Sequence, residues 1–361
     1  MNQAAFHFRR LALRALCVFL PAIYFCLPSA TYAADSSSTD AAATSAVQFG
    51  PFKNYAYGLR ESVAVHSSGL ILEFHESQLV NESILYRLGQ FAGTGVIWSE
   101  SHASGANGYW PTVAISKEGY VIMVHSNQSG KNGADLYYQV GRINPYAGPI
   151  QQTITWLTDF IHWDAGLNSS IAINDNGVIV GVHEAGRGGD GLYYRVGHLR
   201  NPAGGDYTIQ WDSTPWGVRY DTGVNPSIAL NNLNEVVQAH QVPGETLLHY
   251  RRGTVVSGGT INFGESRRYD THATQPEVAL LDSGLVLEFH TLGGLISRTG
   301  RLSLSNAQEI EWDEPVKLDD YQHIATPAVA ATGTFAIATY LRDGRGGPIE
   351  RELNYSFAII P

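Results

Sequence analysis

The chain has 361 residues, of which 44% are hydrophobic and 16% charged, a composition that excludes a disordered protein and predicts a large buried core. Its formal net charge of −10 argues against nucleic acid as a partner, because an acidic surface repels a phosphate backbone. The 38 glycines, the 19 tyrosines and frequent Val, Ile and Thr runs favour strands joined by tight turns. The sequence therefore predicts an all-β fold.

The first 34 residues have the pattern of a secretory signal peptide. Three arginines between positions 9 and 14 precede an apolar run over residues 15–27, and the small residues of "SATYAAD" follow. This run is shorter than the ~20 residues that a membrane span needs, so we expect cleavage near Ala33 or Ala34 rather than a retained anchor. The predicted mature chain has no membrane span and is secreted, periplasmic or on the cell surface.

Both cysteines, Cys17 and Cys26, lie within this segment. The mature chain is therefore predicted to lack disulfides, thiol catalysis and cysteine metal sites. Cleavage would also remove three basic residues and no acidic one, which changes the formal net charge from −10 to −13. Residues 35–46 are small and polar and predict a flexible lead-in. Residues 47–361 are predicted to form one domain, and nothing in them predicts a cofactor.

One strand motif recurs six times along the rest of the chain. The copies are "ESVAV" from Glu61, "PTVAI" from Pro111, "SSIAI" from Ser169, "PSIAL" from Pro226, "PEVAL" from Pro276 and "PAVAA" from Pro327. Each copy is followed by a turn, usually with glycine, and by a second run such as "VIVGVH". A turn with glycine between two apolar runs predicts an antiparallel strand pair.

A third and a fourth run complete each repeat. The third runs include "ILYRLG" from Ile84, "LYYQVG" from Leu136, "LYYRVG" from Leu192, "LHYRRG" from Leu248 and "LISRTG" from Leu295. The fourth run is short and ends on an aromatic residue that we interpret as packing between repeats: Trp98, Trp156, Trp211, Phe263 and Trp312. Four short strands per ~50-residue repeat are typical of a β-propeller. The predicted fold is a six-bladed β-propeller with four antiparallel strands per blade.

The two ends of the chain predict how the ring closes. The last repeat ends on a third run, "LNYSF", and lacks its fourth. The missing piece matches "VQF" at residues 47–49, near the start of the mature chain. A solenoid, the main structural rival, would instead need atypical capping repeats. We therefore expect the N-terminal strand 47–49 to complete the last blade and leave no open sheet edge.

Histidine ends the second run in five of the six repeats, at His75, His125, His183, His240 and His290, and Tyr340 takes its place in the sixth. A shared metal ring is excluded by geometry. The second strand lies ~4.8 Å farther from the propeller axis than the first, so the imidazoles cannot converge on Zn–N bonds of ~2 Å. We therefore predict no metal site.

Two interpretations of the histidines remain. The loop that enters the first strand carries an aspartate and an aromatic residue on the same face as the histidine, at Asp164, Asp221, Asp270, Trp163, Tyr220 and Tyr269. Imidazole, carboxylate and an aromatic face together would suit a sugar, so these residues and the five histidines are predicted ligand-binding residues. Alternatively, each histidine bonds to aspartate or backbone and fixes its blade, a structural role that repetition favours.

The strand motifs "LYYRVG" and "LYYQVG", the following "IQW" and the six copies in a ring resemble the six-bladed fucose-binding propeller lectins. The resemblance implies the fold and a carbohydrate ligand. In those lectins an arginine precedes the tyrosine pair, whereas Asp135 or Gly191 stands before "LYY" here. The resemblance therefore transfers neither fucose specificity nor any ligand-binding residue.

The predicted function is that of a secreted, lectin-like propeller with repeated carbohydrate pockets on one face. Near-uniform repeats favour binding over catalysis, because an active site usually breaks the symmetry at one blade. One alternative is an exported glycoside hydrolase or polysaccharide lyase, which needs two carboxylates at a suitable spacing, with Glu76, Glu184 and Asp190 as possible contributors. Another is a protein-interaction platform, which the fold allows.

Overall fold

Six antiparallel sheets follow one another along the chain, and each is built from one sequence repeat. The computed structural model describes residues 47–79, 83–130, 132–186, 189–212, 216–343 and 351–361. Within these ranges the regular structure is β, apart from short 3-10 helices at Pro149–Gln151 and Pro202–Gly204. No helix there is long and apolar enough to cross a membrane. The predicted signal peptide (1–34) and lead-in (35–46) lie outside the described residues.

The strands follow the repeats closely. The first strand is β1 (Lys53–Tyr57). Blade 1 has β2 (Leu59–Val65), β3 (Leu70–Glu76), β4 (Ser83–Phe91), β5 (Val96–Trp98) and β6 (His102–Asn107). Blade 2 has β7 (Tyr109–Ile115), β8 (Tyr120–Ser126), β9 (Leu136–Arg142), β10 (Thr155–Trp156) and β11 (Ile161–Asp164). Blade 3 has β12 (Gly166–Ile173), β13 (Val178–Ala185), β14 (Gly191–Leu199), β15 (Ile209–Trp211) and β16 (Val218–Thr222).

The remaining blades repeat the pattern. Blade 4 has β17 (Val224–Leu230), β18 (Glu235–Gln241), β19 (Leu247–Val256), β20 (Thr260–Phe263) and β21 (Arg267–Thr271). Blade 5 has β22 (Thr274–Leu280), β23 (Leu285–Thr291), β24 (Leu295–Leu302), β25 (Ile310–Trp312) and β26 (Val316–Asp319). Blade 6 has β27 (Ile324–Ala331), β28 (Phe335–Asp343) and β29 (Arg351–Ile359). The predicted six-bladed, all-β propeller is confirmed.

The fourth strand of each blade is split into two short pieces that pair with the same third strand. In blade 1, Trp98 of β5 lies opposite Gly89 near the end of β4, and His102 of β6 lies opposite Tyr86 nearer its start. The second piece then runs directly into the first strand of the next blade. Each blade is therefore four strands wide, as predicted, and its outermost strand also forms the crossover to its neighbour.

The second strands form the most deeply buried layer. Every residue of β3 and of β23 is buried, including the polar ones. A strand that is covered on both faces reads as a continuous apolar run, which explains segments such as "LILEF". The cores lie between neighbouring blades, so a polar side chain on a second strand has to find its partner inside the protein.

A tyrosine of the third strand links each of blades 1–4 to the next blade. The hydroxyl of Tyr138 in blade 2 accepts a hydrogen bond from the backbone N–H of Ile209 in blade 3, at 3.0 Å. Tyr86, Tyr194 and Tyr250 accept equivalent bonds from Ile154, Ile261 and Ile310 at 3.1–3.2 Å. The fourth-run aromatics pack in the same seams, as Trp211 does against Tyr138, and their predicted packing between blades is confirmed.

The N-terminal segment closes the ring by completing blade 6. The backbone N–H of Gly50 donates to Phe357 of β29 at 3.1 Å, as the N–H of Ser99 donates to Leu88 in blade 1 at 2.8 Å. This equivalence puts Phe49 at the position of Trp98, as the match of residues 47–49 predicted. Regular pairing begins slightly later, in β1, which pairs antiparallel with β29. Closure by the N-terminal strand is thus confirmed, with β1 as the second piece of the split fourth strand.

Candidate functional site

The five recurrent histidines lie just beneath the face of the propeller where the first strands begin. Their exposed fractions are 0–4%. Close packing explains the glycine that precedes four of the first strands. A Cβ atom on Gly58 or Gly108 would lie 2.4 or 2.3 Å from the ring of His75 or His125. The glycine and the histidine of a blade therefore specify each other sterically.

Three histidines face an aspartate of the preceding blade. The Nε2 atoms of His183, His240 and His290 lie 3.5, 3.7 and 3.7 Å from Oδ2 of Asp164, Asp221 and Asp270. In blade 6, the hydroxyl of Tyr340 donates to Asp319. These distances to histidine exceed an ordinary hydrogen bond, so the contact is mainly electrostatic. The repeated pair joins the outer strand of one blade to the second strand of the next.

Blades 1 and 2 lack this aspartate. Alanine stands at the aspartate position in both cases. Ala56 pairs with Leu353 in the same way that Asp164 pairs with Leu136. Ala106 stands two residues before Gly108, as Asp164 stands two residues before Gly166. His75 instead has Nδ1 3.0 Å from both carboxylate oxygens of Glu73. The Nδ1 atom of His125 has no hydrogen-bond partner within the described residues, and burial lowers the pKa of His125 to about 4.

The aromatic residues predicted to bind ligand stack inside the protein. Trp163, Tyr220 and Tyr269 have ring centroids 5.5, 5.0 and 5.2 Å from the fourth-run aromatics Trp211, Phe263 and Trp312 of the next blade. One face of each ring is therefore occupied. The burial of the histidines and the stacking of these aromatic rings support the structural interpretation. Direct ligand contact by these residues stays a prediction.

A second set of repeated residues lines a cavity at the propeller axis, on the same face. One residue from each blade has a left-handed backbone conformation: Arg60 (φ 52°), Trp110 (50°), Asn168 (46°), Asn225 (50°), Gln275 (55°) and Thr326 (46°). Each lies at a β-bulge where the pairing of the first strand with the second changes register. We call these six residues the axial ring.

The axial ring stores backbone strain. Asparagine tolerates the left-handed conformation, but it is costly for a bulky residue such as Trp110 and for the β-branched Thr326. Such residues cost on the order of 1–3 kcal/mol each and persist where the surrounding structure holds them. Strain of this kind is concentrated at binding and catalytic sites, so an observed ring of six is a reason to seek function there.

Acceptors from the preceding blade hold the ring residues in place. The backbone N–H of Trp110 donates to Glu76 Oε1 and that of Asn225 donates to Glu184 Oε1, both at 2.7 Å. Glu76 and Glu184 directly follow His75 and His183 in sequence. These two carboxylates, considered above for hydrolysis, are buried and already engaged by the backbone. Their position instead connects the histidine layer to the axial ring.

Residues of all six blades line this axial pocket, which has a volume of about 110 Å³. Three of its lining residues carry a buried side-chain atom with no hydrogen-bond partner within the described chain: Glu61 Oε1, Asn168 Oδ1 and Ser169 Oγ. Buried polar atoms are nearly always paired, so three in one pocket need an explanation. A ligand, or water that a ligand displaces, would complete them.

Glu61 breaks the symmetry of the pocket. Four of the other blades have proline at its position and the fifth has Ser169. Its Oε2 atom accepts a hydrogen bond from the Thr326 hydroxyl at 3.1 Å. Burial, and then the nearby carboxylates of Glu73 and Glu277, raises the pKa of Glu61 well above its usual range. Glu61 is the one carboxyl residue at this position of the six repeats, so it makes one side of the pocket chemically distinct.

Glu277 is the second carboxyl group of the pocket. Its Oε2 atom accepts a hydrogen bond from the Ser227 hydroxyl at 2.8 Å. Burial raises the pKa of Glu277 to about 8, with a smaller contribution from Glu288. At neutral pH, therefore, Glu277 is mainly protonated in the empty pocket and can donate a hydrogen bond.

Arg60 and Trp110 form the remaining distinctive edge of the pocket. The guanidinium of Arg60 lies 4.1 Å from the centroid of the Trp110 ring. It also donates to both carboxylate oxygens of Glu76, at 2.8 and 3.0 Å. The positive charge of Arg60 is thus neutralised by Glu76, and the indole gives the pocket an aromatic wall. No cluster of three or more His, Cys, Asp or Glu suited to a metal ion occurs in the described ranges.

Sequence reasoning located the repeat but missed the axial ring. The predicted motif begins one residue after the ring position, so the ring residues fell just outside it. A signal was present, because Glu61 and Ser169 stand where four copies of the motif have proline. The left-handed conformation itself has no consistent residue type, since Arg, Trp, Asn, Gln and Thr all adopt it.

No protein-family model matches the sequence, and no curated protein matches it either. Among solved structures, a protein of unknown function from Dyadobacter fermentans has a TM-score of 0.59 at 13% identity, with 87% of this chain and 99% of that chain covered. An α-L-arabinanase from Penicillium chrysogenum, complexed with arabinobiose, has a TM-score of 0.52 at 13% identity, with 86% and 96% covered.

The fungal lectin of Aleuria aurantia, a six-bladed propeller that recognises fucose, has a TM-score of 0.49 at 10% identity, with 86% of this chain and 98% of that chain covered. The strand motifs had indicated a loose resemblance to such lectins. At these identities the likenesses concern the fold alone.

Proposed function

We propose that the protein is an exported carbohydrate-binding propeller and that the sugar enters the axial pocket. The observation that carries this proposal is that three residues lining one cavity, Glu61, Asn168 and Ser169, each have a buried polar atom without a hydrogen-bond partner in the described chain. Sugar hydroxyls both donate and accept hydrogen bonds, so one ring can satisfy acceptors and a hydroxyl at the same time.

The dimensions of the pocket support a small ligand or the end of a longer one. Pockets for drug-sized ligands typically enclose ~300–1,000 Å³, and the axial pocket encloses about 110 Å³. One sugar unit is therefore expected to enter, while further units would extend across the face of the propeller. Trp110 also lines the pocket, and because Arg60 covers one face of its indole, a pyranose ring would pack on the other face.

Export is part of the proposal. The arginines and the apolar run of residues 1–34 support it, and the absence of cysteine after Cys26 is compatible with any compartment. Expression of the full chain with a mass measurement of the released protein would test this. A mature N-terminus near Ala33 or Ala34 supports cleavage, whereas an intact chain that stays with the cells contradicts it.

The axial pocket and the repeated pockets predict different numbers of bound ligands per chain. Repeated pockets on one face remain a prediction and would give several ligands per chain. The axial pocket predicts one, because each blade contributes one segment to a single cavity. Titration calorimetry counts the sites directly. A stoichiometry of five or six would favour the repeated pockets over the axial one.

The test of the function is a glycan array followed by calorimetry on the mature chain. Arabinose oligomers belong in the panel, since the Penicillium neighbour was solved with arabinobiose. Ser169→Ala removes an unpartnered pocket hydroxyl and should weaken binding without lowering the melting temperature. Ser67→Ala, an exposed serine in a turn at the opposite ends of the first strands, is the matched control. Binding that survives pocket substitutions unchanged would place the ligand elsewhere.

Glycoside hydrolysis is a second candidate, favoured by the two carboxyl groups of the pocket. Glu277 is protonated near neutral pH, which is the state that a general acid needs. The test is release of reducing ends from a panel of polysaccharides, with Glu277→Gln expected to abolish activity and to retain binding. Exposed Glu311→Gln is the control. Binding without any released product would leave the protein as a lectin.

A further inference from the structure

The unpartnered atoms of the axial pocket are mostly hydrogen-bond acceptors. Glu61 Oε1 and Asn168 Oδ1 lack a donor within the described residues. The two asparagine amides nearby donate to other groups. The amide of Asn168 donates to Glu184 Oε1 at 2.7 Å, and that of Asn225 donates to Gln241 Oε1 at 3.2 Å. The amides of Asn168 and Asn225 therefore do not satisfy these two acceptors.

The ionisable side chains around the pocket also favour a ligand that donates hydrogen bonds and carries a positive charge. Among the described residues that line it, Arg60 is the one cationic side chain, and both oxygens of Glu76 bind it. Two further carboxyl groups, Glu61 and Glu277, line the same cavity, and Glu73 and Glu288 lie behind them. Burial raises the pKa of both carboxyl groups, so an entering cation would favour their ionised form, whereas an anion would oppose it.

We propose that the axial pocket binds the ammonium group of an amino sugar, a proposal that rests on the carbohydrate-binding function above. An ammonium has three N–H donors and no acceptor, which matches a pocket whose free atoms are chiefly acceptors. The Ser169 hydroxyl can turn its oxygen toward the ammonium or donate to a neighbouring sugar hydroxyl. The sugar ring then lies near Trp110, at the mouth of the same cavity.

Proton release is a consequence of this binding mode. Before a ligand binds, Glu277 holds a proton near neutral pH, because burial and, to a smaller extent, the nearby carboxylate of Glu288 raise its pKa to about 8. An entering ammonium compensates one carboxylate, so a proton leaves as the ligand binds. A neutral sugar would leave the protonation of the pocket nearly unchanged.

The test compares a glucosamine tetramer with the N-acetylglucosamine tetramer of the same length by calorimetry on the mature chain. We expect the free amine to bind at least ~10-fold more tightly, with net proton release measured in two buffers of different ionisation enthalpy. Glu61→Gln should remove most of this preference, while exposed Glu311→Gln should leave it intact. If Glu61→Gln does not fold, Ser169→Ala takes its place.

The outcomes separate this inference from the proposed function. Equal or tighter binding of the N-acetylated tetramer overturns the ammonium inference and leaves carbohydrate binding intact. A neutral oligosaccharide from the array that needs Ser169 and excludes the amine likewise overturns the ammonium inference alone. A linear diamine that binds as tightly as the amino sugar overturns the assignment to a sugar. Absence of binding to every glycan refutes both proposals.

Discussion

The Nε2 atom of His183 in blade 3 lies 3.5 Å from Oδ2 of Asp164, which belongs to the outermost strand of blade 2. Oδ2 also accepts the backbone N–H of Gly217 at 2.8 Å, and Oδ1 accepts that of Ala165 at 2.8 Å. Although burial opposes it, the contacts with His183 and these backbone donors lower the pKa of Asp164. The carboxylate therefore fixes the crossover between two blades as well as the histidine.

Asp164→Ala is predicted to destabilise the propeller. It removes two backbone hydrogen bonds and leaves partly buried donors, and the buried His183, without their carboxylate, so the free energy of unfolding should fall by roughly 2–4 kcal/mol. Chemical denaturation measures this change. The control is Asp175→Ala, which removes an exposed carboxylate in a turn on the other face and should cost far less.

The same variants test whether the recurrent residues contact ligand. A folded Asp164→Ala protein, or a folded double variant with His183→Ala, is expected to retain axial binding. Loss of binding with an unchanged melting temperature would support the repeated pockets predicted from the sequence. A melting temperature that collapses with the substitution would support the structural role.

Ring closure predicts that the segment before β1 contributes to stability. Phe49 packs edge-on against Phe289 of blade 5 with ring centroids 5.0 Å apart, and Phe52 packs against Tyr340 at 4.7 Å. A chain that begins at Lys53 keeps β1 but loses these contacts and the Gly50 hydrogen bond. Because Phe49 is only partly buried, we expect a loss of roughly 1–3 kcal/mol.

The single substitution Phe49→Ala should reproduce much of that loss, and Gln48→Ala, exposed in the same segment, should have little effect. Thermal unfolding of the three proteins beside the mature chain measures the difference. If the chain that begins at Lys53 had an unchanged melting temperature, β1 alone would close the ring and residues 47–52 would not contribute to stability.

The fold was predictable because propeller blades are specified by local patterns. Second strands read as apolar runs, turns carry glycine where φ is positive, as at Gly69 and Gly119, and the third-strand tyrosine recurs at one spacing. Even closure was visible, since "VQF" matches "VIW". The split of the fourth strand was not, because its second piece reads as the loop that enters the next blade.

The axial site was less predictable for a physical reason. Repetition drew attention to His183 and Asp164, yet residues that repeat most strictly are those that neighbouring blades need for packing. A binding site uses the exceptions, such as Glu61 in place of proline. Which exceptions meet at the axis depends on the bulges, and a bulge stabilised by Glu76 or Glu184 from the preceding blade cannot be read from one repeat.

Stability is predicted to fall as pH rises from about 6.5 to 8. The pKa of Glu277 is raised from its usual value of 4.5 to about 8, so between these values the folded protein binds more protons than the unfolded chain. Its contribution to stability is complete below about pH 4.5 and is lost as pH rises through 8. His240, whose pKa is lowered to about 4 by burial, has the opposite effect below pH 6.5.

The window from pH 6.5 to 8 lies above the range in which His240 acts, and the expected loss from Glu277 across it is roughly 1–2 kcal/mol. Glu61, whose pKa is also raised, acts in the same direction. Glu277→Gln should flatten this dependence, because the amide does not titrate, and Glu311→Gln should leave it as it is. Melting temperatures measured at half-unit pH intervals check the prediction. A wild-type profile that is flat or rises over this window would contradict it.

The axial ring predicts opposite effects for two reciprocal substitutions. Thr326 and Asn225 have φ values of 46° and 50°, in a region that asparagine tolerates and a β-branched residue does not. Thr326→Asn should therefore raise the free energy of unfolding by roughly 0.5–1 kcal/mol, and Asn225→Thr should lower it by at least as much. Thr326→Asn should at the same time weaken ligand binding, because the hydroxyl that holds Glu61 Oε2 at 3.1 Å is lost. A variant that gains stability and keeps full affinity would show that the strain at Thr326 does not serve the pocket.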